Sequence, residues 1–267
     1  MDLNKAACEA SFLQHFNETI SGLGAVRSTL LRVLRSVDRK GWLGHRESGR
    51  LDRKAFVRVA TGSTSVFKQR KDVEAQRSAV SVLIDCSGSM VGDPLLLAQQ
   101  VAIQLSDILD RAKVSFNVTG FNGDDEGLRL AQTGSDDAKY VQAERVNFIP
   151  FKTWAEPVRR VTAKLGSIHR WADNSTPDYS AISLSIDALA VRPEQRKILF
   201  ILTDAEGYYK RHMDHLQTVA DRLNVVIVAI GIHSQDVKKV FDNAETVNNL
   251  NDLASTSFNT LLKTIRK

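Results

Sequence analysis

Residues 81–90 read Ser81-Val82-Leu83-Ile84-Asp85-Cys86-Ser87-Gly88-Ser89-Met90. An apolar run that starts near Ser78 stops at a single carboxylate, and two hydroxyls follow on a tight turn. A largely apolar stretch of this kind suits a strand buried on both faces. Gly88 lets the backbone turn sharply with no Cβ in the way. Asp85, Ser87 and Ser89 are therefore gathered at the end of a buried strand.

Working outward, the pattern alternates. Asp93-Pro94 opens a helix, with Asp93 as its cap and Pro94 at its first position. The apolar residues Leu97, Val101, Leu105, Ile108 and Leu109 fall on one face of that helix. Val114 to Phe121 reads as a second strand, whereas residues 122–150 are polar and give no clear element. Helices are expected over Trp154 to Leu165, with Pro157 in its first turns, and over Tyr179 to Val191, with Ile182, Ile186 and Leu189 facing inward. Lys197 to Asp204 is a buried strand, His212 to Leu223 a helix and Val225 to Ile232 a strand. A short last strand over Ala244 to Leu250 and a closing helix over Asp252 to Ile265 complete the series. Strands alternating with helices predict an α/β fold: a doubly wound, mostly parallel sheet with helices on both faces.

Upstream, apolar residues recur at helical spacing over residues 3–38 (Phe12, Phe16, Ile20, Leu23, then Leu30, Leu31, Val33 and Leu34). Residues 41–78 are charged and broken by glycines. The division expected is a basic, mainly helical region over residues 1–76 and an α/β domain over residues 77–267.

Bulk composition narrows the class. Of the 267 residues, 43% are hydrophobic and 25% charged, as in ordinary soluble globular proteins. No apolar run has the length of a membrane span, so a membrane partner is not expected. The first residues lack the basic-then-apolar order of a signal peptide. Two cysteines are too few for a disulfide framework, and a reduced, cytoplasmic compartment is the expectation. The net charge of +5 is concentrated in residues 1–78, where 15 Lys/Arg face 8 Asp/Glu. Such a surface would dock an acidic protein or nucleic acid, or simply be a solvated helical face. Without aromatic residues interleaved among the basic ones, a nucleic-acid module is not supported.

In doubly wound sheets, ligands bind beyond the carboxyl ends of the strands. Asp85 and Asp204 end two predicted strands, and the loop at 173–178 lies between them in sequence. Asp85, Ser87, Ser89, Thr176 and Asp204 are thus expected to converge. The set is all oxygen and suits a hard cation: Mg²⁺ best, or Mn²⁺ or Ca²⁺. The competing reading is that Asp85 and the serines only cap the following helix.

The spacing Asp-x-Ser-x-Ser resembles the signature of the von Willebrand factor A (vWA) domain. The resemblance implies a metal ion-dependent adhesion site (MIDAS) in which Asp85, Ser87 and Ser89 match the first loop, Thr176 the second and Asp204 the third. Ala205 departs from the glycine many members carry. Gly88, Asp178 and Glu206 stand next to the implied ligands. Within that superfamily the chain is similar to the C-terminal domain of the cobaltochelatase T subunit, and next to the magnesium chelatase D subunit. The residues that carry this are FKQR at 67–70, VSVLIDCSGSM at 80–90, KVSFNVTGFN at 113–122, TPDYSAI at 176–182, RPEQRKILFILTDAEG at 192–207 and VVIVAIGI at 225–232. The likeness spans roughly residues 45–267, without the acidic linker of the chelatase subunits. It implies a non-catalytic adaptor that binds an acidic residue of a partner through the metal. The implied partner is a MoxR- or chelatase-type AAA+ ATPase or that ATPase's client, in a homo-oligomer or a ring assembly. No Gly-x-x-x-x-Gly-Lys-Ser/Thr loop is present, so the ATPase would be another polypeptide. The alternative it implies is a chelatase subunit serving Co²⁺ or Mg²⁺ insertion into a tetrapyrrole.

Other signals are weaker. His212 and His215, three apart on a helix, do not make a zinc site alone. No histidine is evidently placed to activate Ser87 or Ser89. Asp204 and Glu206, with Asp178, fit charge tuning or helix capping better than acid–base catalysis, and no catalytic residue is assigned. Cys86 is expected to point into the fold. Trp42 and Trp154 read as packing residues, and Trp171 as a partner contact near the Thr176 loop.

Overall fold

The computed structural model describes residues 4–18, 28, 42–55, 65–70, 78–123, 145–173 and 175–254. The chain forms two compact units, residues 1–34 with 77–267, and residues 35–76.

The larger unit is built on six strands: β4 (Ser78–Asp85), β5 (Ser115–Gly123), β6 (Val146–Lys152), β7 (Arg196–Thr203), β8 (Val225–Ile232) and β9 (Ala244–Val247). Their order is β6-β5-β4-β7-β8-β9, with β6 antiparallel to β5 and all other neighbours parallel. Every residue of β4 is buried. Val80, Val82 and Ile84 pack on one face, and Ala79 and Leu83 on the other, as the two-residue period of a strand requires. The first face is covered by α1 (Lys5–Glu18), α2 (Asp93–Ala112) and the short α3 (Thr162–Leu165). The second is covered by α4 (Asp178–Ala190), α5 (Lys210–Arg222) and the short α6 (Val237–Val240). The α/β, mostly parallel, two-face-covered architecture is the one expected.

Chain order reverses direction between β4 and β7. The connections that leave the two strands run to opposite faces of the sheet, into α2 on one and α5 on the other, which makes this the switch point where such sheets bind ligands.

Helix α1 packs within the larger unit. Cys8 and Phe12 are buried, and Gln99 of α2 donates to Ser11 Oγ at 3.1 Å. The oxygen of the same amide accepts from His169 N at 3.0 Å, so one buried glutamine ties α1 to the 168–170 turn. Gly166 is required because a Cβ there would strike the carbonyl of Cys8. Packing groups α1 with the sheet and separates it from residues 35–76. The described residues of that second unit contain no helix. They hold a small antiparallel sheet of β1 (Trp42–Arg46), β2 (Arg50–Leu51) and β3 (Phe67–Arg70), in the order β1-β3-β2.

Three further differences have local causes. Gly92, at φ +87°, caps α2, and Asp93 is its first residue. The segment at 154–165 is not one helix: a 3₁₀ turn over Val158–Arg160 precedes α3. Pro157 starts that turn in an extended conformation, its φ fixed by the ring. Strand β6 lies in the stretch that gave no clear element. It is an edge strand with Pro150 inside it, and edges tolerate the missing N–H. The expected helical residues Ile20, Leu23, Leu30, Leu31, Val33 and Leu34, and the end of the closing helix after residue 254, lie outside the described residues. Among the described residues, no helix is long and apolar enough to cross a membrane.

Candidate metal centre

Asp85 ends β4 with its side chain wholly buried. Three donors hold its carboxylate. Ser87 N donates to Oδ1 at 3.0 Å. Thr203 Oγ1 donates to Oδ2 at 2.7 Å and Tyr208 Oη to the same oxygen at 3.2 Å. Burial pushes the Asp85 carboxyl up to about 6, opposed by the hydrogen bonds of Ser87 and Thr203, with nearby Asp204 adding to the rise. Ser87 and Ser89 bring their hydroxyl oxygens within 3.2 Å of each other. Ser87 is buried and Ser89 exposed, so the pair runs from the fold to the surface.

Asp204 follows β7, the neighbour of β4 across the switch point. Its Oδ1 accepts from Glu206 N at 3.0 Å, which shapes the turn. Ala205 adopts φ +58°, a left-handed conformation that glycine takes without a Cβ penalty. Its N–H donates to Thr203 Oγ1 at 2.9 Å. Here the departure from the vWA glycine is accommodated by a side chain that also serves Asp85.

The loop carrying Thr176 is joined to the same rim by backbone bonds. Asp173 N donates to the Cys86 carbonyl at 2.9 Å, and Gly123 N to the Ser175 carbonyl at 2.8 Å. Gly123 admits this approach because a Cβ would collide with Ser175 Oγ. Asp178 begins α4. Its Oδ1 accepts from Tyr179 N at 2.7 Å, whereas its buried Oδ2 has no hydrogen-bond partner. Burial raises its carboxyl above the usual range.

The structure thus brings Asp85, Ser87 and Ser89 into one hydrogen-bonded group. It sets Asp204 one residue beyond the threonine that clamps Asp85, and fixes the Thr176 loop to the ends of β4 and β5. Glu206 is exposed on the Asp204 turn. Trp171, half-buried at this rim, meets Phe151 edge-on at 6.4 Å, and its carbonyl accepts from Asn122 at 3.5 Å. Cys86 is buried in the core on the α1–α2 face, and burial pushes its thiol up. His212 and His215 both contact the Tyr179 ring, and His215 Nδ1 pairs with Tyr179 Oη at 2.9 Å. Thr203 and Tyr208 are the residues that sequence reasoning missed. Their partner lies 118 and 123 positions away, and no local spacing announces it.

The donor chemistry fits a hard cation. Among the described residues there is no cluster of three His, Cys, Asp or Glu side chains, so the oxygen set rests on hydroxyls with carboxylates. The unpartnered Oδ2 of Asp178 leaves a further acceptor at the start of α4, directly after the Thr176 loop.

A mostly parallel sheet with helices on both faces, carrying Asp-x-Ser-x-Ser at the switch point, defines a vWA-type domain. The family model described as "Cobalamin biosynthesis protein CobT VWA domain" matches residues 66–266, and the chain belongs to that family. Solved structures show more distant likeness. Manganese-loaded TRAP from Plasmodium vivax is 13% identical, with 72% of this chain and 74% of that chain covered and a TM-score of 0.47. BatB from Bacteroides thetaiotaomicron is 13% identical, with 70% and 98% covered and a TM-score of 0.46. Proximal thread matrix protein 1 from the mussel byssus, with a zinc-occupied MIDAS motif, is 13% identical, with 71% and 47% covered and a TM-score of 0.44.

Proposed function

We propose that this protein is a divalent-cation-dependent interaction subunit, a vWA adaptor that works with a AAA+ ATPase of the MoxR or chelatase type. Asp85, Ser87, Ser89, Thr176 and Asp204 would hold the cation, Mg²⁺ first and Mn²⁺ or Ca²⁺ as substitutes. The observation that carries this reading is the hydroxyl pair Ser87–Ser89 beside a buried, three-donor carboxylate at the sheet's switch point. A bound cation would supply an open coordination position for a carboxylate of the partner. The chain's own residues do the rest. Asp85 fixes the turn through Ser87 N, and Ser89 presents its hydroxyl outward. The 203–208 turn holds Asp204 at the rim. An acidic residue of the ATPase or of its client is the group recognised.

Family membership supports a second reading: a non-catalytic subunit in the insertion of Co²⁺ or Mg²⁺ into a tetrapyrrole. In it, the metal delivered is substrate, distinct from the cation at the rim.

The test is a pull-down from native lysate with wild type, Ser89→Ala and Asp204→Asn, each with Mg²⁺ and with chelator. These variants spare the buried carboxylate. Recovery of a AAA+ ATPase by wild type with Mg²⁺ alone is the expected result. Recovery indifferent to variants and chelator would move the docking surface away from this site.

A further inference from the structure

Oδ2 of Asp85 already accepts two hydroxyl hydrogen bonds, from Thr203 at 2.7 Å and Tyr208 at 3.2 Å, and Oδ1 accepts one from Ser87 N at 3.0 Å. A carboxylate offers about four acceptor positions, two on each oxygen. Both on Oδ2 are filled, and what capacity remains is on Oδ1, on the side where the Ser87 hydroxyl also reaches the carboxylate. Asp85 can therefore meet a cation, directly or through water, with only one oxygen.

That restriction discriminates between cations. Ca²⁺ takes about six to eight oxygens and gains from carboxylates that bind through both oxygens, whereas Mg²⁺ takes an octahedral set and keeps its waters. Building on the cation site proposed above, we propose that Tyr208 is a positioning residue for metal selectivity. With Thr203 it closes Oδ2 of Asp85 against two-oxygen coordination, and so favours small octahedral cations over Ca²⁺.

The clamp is firmly placed. Tyr208 is buried, its ring meets Phe241 edge-on at 6.1 Å, and its N–H donates to the Ala205 carbonyl at 3.3 Å. Thr203 Oγ1 is itself oriented by the Ala205 N–H. The Tyr208 hydroxyl also interacts with the Thr203 side chain, so the two donors act on Oδ2 as a pair. Removal of that hydroxyl in Tyr208→Phe keeps the ring and its packing.

The experiment measures Mn²⁺ binding by electron paramagnetic resonance, with Mg²⁺ and Ca²⁺ as competitors. It compares wild type, Tyr208→Phe, Thr203→Val and Thr203→Ser. Wild type is expected to prefer Mg²⁺. In Tyr208→Phe the Mg²⁺/Ca²⁺ affinity ratio should fall about tenfold, the size of one hydrogen bond to a charged oxygen. Thr203→Val should shift the ratio the same way, and gives a second readout if Tyr208→Phe fails to fold. Thr203→Ser keeps the donor and should restore the wild-type ratio. An unchanged ratio in a Tyr208→Phe protein that still binds Mn²⁺ overturns the role of Tyr208 and leaves the cation site standing. Absence of Mn²⁺ binding in wild type overturns both.

Discussion

Among the described residues of this domain two charged side chains are buried, Asp85 at the carboxyl end of β4 and Lys152 at the end of the edge strand β6. Lys152 Nζ donates to the Phe116 carbonyl at 2.6 Å and the Thr153 carbonyl at 3.1 Å, and stands 3.9 Å above the Phe116 ring. Two carbonyls and a ring face exhaust what an ammonium can offer. No second cation or anion is needed there, so this charge is a fastener between β5 and β6. Asp85 also has its donors, but a hydroxyl pair and a second carboxylate stand beside it with acceptor capacity to spare. A buried charge does not by itself mark a site. Surplus ligands of one sign around it do.

The largest test of this contrast is Asp85→Ala. It would strand Ser87 N, Thr203 Oγ1 and Tyr208 Oη in a buried pocket. Chemical denaturation in chelator should show a loss of about 3 kcal/mol or more, together with loss of metal binding. A variant that binds no metal yet keeps wild-type stability would show that the carboxylate is held less tightly than its geometry says. Lys152→Met comes next. Denaturation should register about 1–2 kcal/mol for the lost bonds to carbonyls, with metal affinity unchanged. A loss of metal affinity would break the comparison by coupling the fastener to the site.

Ser89→Ala should show the reverse pattern. Ser89 is exposed, so stability should stay within about 0.5 kcal/mol, while metal affinity falls. The smallest effect concerns pH. Burial lowers Lys152 below the ordinary lysine value of 10.5. The unfolded chain then binds this proton more tightly than the folded one, so stability at this residue rises as pH climbs toward 10.5. The alkaline slope of stability against pH should flatten in Lys152→Met, and an unaltered slope would assign it to another group.

Legibility in the sequence followed burial. Strands β4, β7 and β8 are covered on both faces, so their apolar runs stand out, and their observed limits fall close to those read from the pattern. Strand β6 is an edge with Pro150 in it, and β1 to β3 are short, charged and glycine-broken. Their pairing depends on partners far along the chain, which no window of sequence contains. The candidate site divides in the same way. Asp85, Ser87, Gly88 and Ser89 are neighbours in sequence, so spacing alone exposes them. Thr176 and Asp204 were reached through predicted strand ends and a resemblance. Thr203 and Tyr208 carry no local signal.

The sequence by itself determined the class of fold, the switch-point strand and the turn that carries one carboxylate and two hydroxyls. These rest on periodicity and on bonds between near neighbours. Only the tertiary structure decided that α1 packs within the sheet domain, through Gln99 and the bare Gly166. Only it decided which donors close Oδ2 of Asp85. Both outcomes depend on atoms more than sixty positions apart meeting in a buried place, where an unpaired polar group is costly and so the partner must be found.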